Sequence, residues 1–128
     1  MAYYFSQVLD KSFDKDIQKV TDELKKEGFG ILTDIDVQQT LKKKLDVDFQ
    51  KYRIFGACNP FFVYKAMQLK NKIGTMLPCN VVVQELDDGK VEIATIDPVA
   101  SMQAVENQGL REVADQVQSK LKRVIDRL

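Results

Sequence analysis

The sequence predicts an α+β fold: an antiparallel sheet of about five strands, covered on one face by helices, in the order strand–helix–four strands–helix. Three observations lead there. Short runs rich in aromatic and β-branched residues recur along the chain. Asp88-Gly89 reads as a two-residue hairpin turn between two of them. Two longer segments, near 13–24 and 110–128, repeat their apolar residues at the helical period. Hairpin-linked strands combined with one-sided helices fit a sheet that packs on one face and leaves the other to solvent.

The elements follow in order. Residues 2–9, with Tyr3, Tyr4, Phe5 and Val8, predict a first strand. Ser12 offers an N-cap, and Phe13, Ile17, Val20 and Leu24 line one helix face; Lys25, Lys26 and Gly28 supply the cations and the left-handed residue suited to its end. Residues 29–36 predict a second strand. Val37, Leu41 and Leu45 predict a short amphipathic helix whose lysine run reads as a solvated face. Residues 51–58 predict a third strand, stopped by Asn59-Pro60 as N-cap and first helical residue. That helix carries Phe62, Val63, Ala66 and Leu69 and is expected to end near Gly74. Pro78 introduces a fourth strand over 79–86, and Val91 to Ile96 makes a fifth, ended by Asp97-Pro98. Leu110, Val113, Ala114, Val117, Leu121, Val124, Ile125 and Leu128 mark a long C-terminal helix.

Composition narrows the function. The 128 residues fit a single domain, 1–128, able to bury one core without metal or disulfide staples. Nineteen basic and nineteen acidic residues cancel, which speaks against a nucleic-acid partner. The first ten residues do not read as a signal peptide, and no apolar run has bilayer length, so no membrane association and a cytoplasmic location are expected. The chain has no histidine, which excludes imidazole-based triads and histidine zinc sites. Two cysteines cannot close a zinc site alone, so neither metal nor cofactor is expected. No carboxylate pair with recognisable spacing appears. The sequence thus leans against an enzyme, with no catalytic residue assigned.

One constellation stands out. Cys58-Asn59 precedes a proline and Cys79-Asn80 follows one. If strands two to five form an up-and-down meander, Cys58, Asn59, Pro60, Cys79, Asn80 and Asp97 converge at one sheet edge. Two thiols there could form a disulfide, hold a soft metal or carry sulfur. The plainer alternative makes both cysteines small buried hydrophobes, with the asparagines a cap and a turn former. Asp97-Pro98 could supply a carboxylate or simply end a strand. Gly28-Phe29-Gly30 lacks the rest of a dinucleotide loop and reads as a helix end. Tyr3, Tyr4 and Phe5 could stack a ligand, but a place in the core or at a subunit interface is preferred.

Tyr52-Arg-Ile-Phe-Gly-Ala-Cys-Asn-Pro60, Ile73-Gly-Thr-Met-Leu-Pro-Cys-Asn-Val-Val-Val83, Ile96-Asp-Pro98, Asp36-Val-Gln-Gln-Thr-Leu-Lys-Lys-Lys-Leu45 and the stretch from Leu110 together resemble the domain of unknown function 302 family of bacteria and archaea. The resemblance covers nearly the whole chain. It implies a TATA-binding-protein-like architecture, often as a homodimer, and no assigned activity. DNA binding would rest on fold analogy alone. The expected function is a homodimeric accessory module binding a small molecule or partner at the cysteine edge; the alternative is a thiol-dependent redox, sulfur-handling or soft-metal protein using Cys58 and Cys79.

Overall fold

The computed structural model describes residues 2–10 and 12–128. Five strands, β1 (Tyr4–Leu9), β2 (Gly30–Asp36), β3 (Tyr52–Cys58), β4 (Cys79–Glu85) and β5 (Val91–Ile96), form one antiparallel sheet in the order β1-β5-β4-β3-β2. The last four strands are therefore the meander, and β1 returns to pair with β5. Helices α1 (Phe13–Lys26), α2 (Val37–Leu45), α3 (Pro60–Leu69), α4 (Pro98–Ser101) and α5 (Gln108–Asp126) occupy the connections and the C-terminal end.

Period-two alternation divides the sheet into two faces. On one, Ile93 pairs with Val83, and Thr95 with Val81 and then Phe55. These side chains are buried with Val20 and Leu24 of α1 and Leu110, Val113, Val117, Leu121, Val124 and Ile125 of α5. Burying side chains of this size contributes roughly 1.5–3 kcal/mol each, so this layer supplies the main driving force. On the other face, the paired rows are Ser6–Ala94–Val82–Ile54–Ile35 and Val8–Glu92–Gln84–Tyr52. None of these residues is buried, and Tyr4, Val8 and Ile35 are exposed.

Helix ends follow the expected chemistry with local exceptions. Ser12, Asp36, Asp97 and Asn107 each accept a backbone N–H at the start of a helix. Helix α3 stops at Leu69, five residues before Gly74, because Lys70 is extended and Asn71-Lys72 turns into a 3-10 segment at Ile73–Met76. The β4–β5 connection is a three-residue turn, Asp87-Asp88-Gly89, closed by Leu86 and Lys90, rather than a two-residue one. Gly89, at φ +84°, supplies the left-handed position that a type I turn needs to rejoin the strand. Helix α2 buries none of its residues; Leu45 is exposed and Val37 and Leu41 are half-buried. The Leu77–Pro78 peptide is cis. Pro78 lies close over Gly56, where an added Cβ would come 2.7 Å from the proline Cγ and 2.3 Å from Thr33 Oγ1. Among the described residues, no helix is long and apolar enough to cross a membrane.

Candidate functional site

The meander brings together the edge expected from sequence. Cys58 pairs with Gly30, and Ala57 with Cys79, so the end of β3 and the start of β4 are adjacent. Asp97 directly follows β5 on the same side. Two polar residues there, Asn59 and Asp97, have definite local tasks.

Asn59 occupies the N-cap position of α3, followed by Pro60 at its first turn, but its side chain does not cap the helix. Its Nδ2 instead donates to the Glu27 carbonyl at 3.2 Å, at the C-terminal end of α1. Gly28, at φ +87°, leaves room for this amide: a Cβ there would lie 3.1 Å from Nδ2. The Glu27 carboxylate accepts from Arg123 Nη2 at 2.9 Å and Arg127 Nη1 at 2.8 Å. The Arg123 and Arg127 guanidiniums hold this carboxyl below the usual range against the opposing effect of burial. Asp97 Oδ1 accepts from the Val99 N–H and from Gln118 Nε2, both at 3.0 Å. It joins the end of β5 to α4 and α5. Asn59 and Asp97 are both buried, and both serve as joints.

The cysteines do not form a matched pair. Both are free. Because Ala57 and Cys79 are register partners, they share the helix-covered face, and Cys58, one residue on, belongs to the opposite face. Burial pushes the Cys79 thiol up to about 11, with a smaller contribution from Cys58, and burial also raises Cys58. Neither is poised as a thiolate at neutral pH. Among the described residues, no group of three cysteines or carboxylates is placed to hold a metal ion.

Behind the edge lies a cavity of about 30 Å³, lined by Cys79, Asn59, Phe62, Met102, Val113 and Val117 among others. It is nearly all apolar and has room for no more than one or two waters. Room for a larger molecule lies in several surface hollows, one of them on the open sheet face. A groove of about 330 Å³ there is lined by Tyr3, Tyr4 and Tyr52, with Val82, Ala94 and Ile96 and the polar side chains of Asn80, Gln84 and Glu92. That volume falls in the range of small-molecule sites. Gln50 Nε2 donates to Gln84 Oε1 at 3.1 Å, and Gln84 Nε2 to Glu92 Oε1 at 3.0 Å, fixing the groove's polar row. Of the six edge residues singled out from sequence, Asn80 alone lines it. Tyr3 and Tyr4 were visible as a cluster; Tyr52, Gln84 and Glu92 are neighbours only through the register of three strands.

The sequence profile described as Domain of unknown function DUF302 matches residues 5–128. This chain belongs to the DUF302 family. A crystal structure of an uncharacterized conserved DUF302 protein from Bacillus stearothermophilus is similar, with a TM-score of 0.91 and 25% identity, covering 99% of this chain and 98% of that one. No curated protein matches the chain. The DUF302 assignment gives shape without a reaction, so the chemistry has to come from the site itself.

The raised Cys79 pKa has a definite consequence. The fold favours the neutral thiol, so this contribution is constant below the unfolded value near 9 and is lost as pH rises towards 11. Over those two units the loss approaches about 3 kcal/mol. Urea unfolding between pH 8.5 and 11 should therefore show a steeper fall for the unmodified chain than for Cys79→Ala. In Cys58→Ser, Cys79 should be alkylated at pH 7.5 only on unfolding, as read by intact mass. Rapid native labelling of Cys79 would contradict the burial argument.

Proposed function

We propose that this DUF302 chain is a non-enzymatic, homodimeric accessory module that binds a small molecule in the open-face groove beside the cysteine edge. The observation behind the reading is the contrast in room: about 330 Å³ among tyrosine rings and hydrogen-bonding side chains, against about 30 Å³ at the edge itself. Asn59 and Asp97 are engaged as joints, whereas Asn80 is exposed and lines the groove. The hollow beside α2, about 470 Å³, has Phe49 as its one ring among mostly polar residues. The one along α1 is lined by Ser12, Lys15, Gln18, Lys19 and Asp22 of a single helix face and its cap. Neutral overall charge favours a small ligand over a polyanion.

Support for self-association comes from α3. Phe61 and Tyr64 are each about two-thirds exposed, and Met67 continues the same stripe. Apolar patches of this kind on a surface mark contacts with another protein. A second copy covering this stripe would leave the sheet groove open.

Ligand-observed NMR with a mixture of single-ring fragments tests the groove. Binding should be seen with the unmodified chain, retained in Cys79→Ala and lost in Ala94→Phe, which fills the groove floor. Equal binding to unmodified and Ala94→Phe protein would contradict the assignment. Sedimentation velocity tests the second half: a dimer is expected, converted to monomer by Tyr64→Lys. A monomer at tens of micromolar unmodified protein would remove the homodimer and leave the groove untouched.

A further inference from the structure

Charge distinguishes the open face from the rest of the surface. In the two central rows, Ser6–Ala94–Val82–Ile54–Ile35 and Val8–Glu92–Gln84–Tyr52, the single charged residue is Glu92. Among the described residues that line the groove it is again the only one charged. Its carboxylate is half-buried and accepts from Gln84 Nε2, while Gln84 is itself held by Gln50. No lysine or arginine pairs with Glu92 among the described residues, in contrast to Glu23 and Glu27, which are met by five cations between them. A partly desolvated carboxylate without a countercharge favours any cation that can reach it. The groove walls add to the same preference. Tyr3, Tyr4 and Tyr52 present rings, whose faces attract cations, and Val82, Ala94 and Ile96 offer apolar floor.

We propose that the groove selects a small organic cation, an amine or quaternary ammonium carrying an apolar or aromatic body, with Glu92 as its countercharge. The cationic head lies toward Glu92 and the body crosses Val82 and Ala94 toward Tyr3 and Tyr4. Asn80 and Gln84 offer amide oxygens and nitrogens for hydrogen bonds to a ligand's polar substituents. A ligand carboxylate is disfavoured, because it would approach Glu92 with no lysine or arginine in the lining to offset the repulsion. This assignment rests on the groove being the ligand site.

Titration calorimetry with three matched probes tests both levels separately. The probes are phenethylammonium, its neutral counterpart phenethyl alcohol, and phenylacetate; tetraethylammonium serves as a second cation. The cations should bind at least about tenfold more tightly than the alcohol, the difference expected for one charge-assisted contact, and phenylacetate should not bind. Glu92→Gln keeps the shape and the Gln84 contact, so it should erase the preference for amine over alcohol. Tyr52→Leu should weaken both cations while leaving the thermal midpoint close to that of the unmodified chain. Alcohol and amine binding alike, with both lost in Ala94→Phe, would overturn the cation assignment and keep the groove. Failure of all four probes to bind the unmodified chain would overturn both.

Discussion

The interaction on which the arrangement turns is the one centred on Glu27. This residue ends α1, and its buried carboxylate takes two guanidiniums from α5 while its backbone carbonyl takes the Asn59 amide at the start of α3. A carboxylate at this depth is tolerated only if its charge is met, so Arg123 and Arg127 are constrained to face it. The consequence is geometric. The two long helices that cover the sheet are pinned to each other at one end, and the β3–α3 junction is pinned to both. The edge carrying Cys58, Asn59, Cys79 and Asp97 is therefore an assembly point. The Asn59 and Asp97 side chains there are spent on holding layers together, and what remains behind them is a small apolar void.

With the edge spent in this way, the binding surface proposed for this chain is the open face of the sheet. The open face buries none of the residues in its two paired rows, which carry apolar and aromatic side chains, so it combines binding area with a rigid hydrogen-bonded floor. Rigidity matters because little ordering entropy is then lost when a ligand docks. The tight approach of Pro78 to Gly56 shapes one end of this face. The tyrosines rim the groove, and its polar row runs through Gln84 to Glu92.

Much of this was readable in the sequence, because it depends on local periodicity. The alternation Val91, Ile93, Thr95 and Val81, Val83 gives strands and their buried side, and the face from Leu110 to Ile125 gives α5. The meander, once assumed, correctly gathers the edge. What could not be read is register. Cys58 and Cys79 are separated by α3 and a 3-10 segment, so nothing local shows that Ala57, rather than Cys58, faces Cys79. Tyr52, Gln84 and Glu92 each look like an ordinary outward residue of a separate strand, and only three-strand pairing sets them in one row. Asn59 shows a third limit. Its position is that of an N-cap, yet a carbonyl thirty-two residues earlier takes its amide instead.

The central claim is that the ligand site proposed for this chain lies on the open sheet face, not in the cavity behind the cysteine edge. Methyl-labelled alanine, valine and methionine spectra, followed during titration with phenethylammonium, address it most directly. The account expects shifts at Ala94 and Val82 with Ala66, Val113 and Met102 unmoved. Shifts confined to Ala66, Val113 and Met102 would place the ligand in the edge cavity and contradict it.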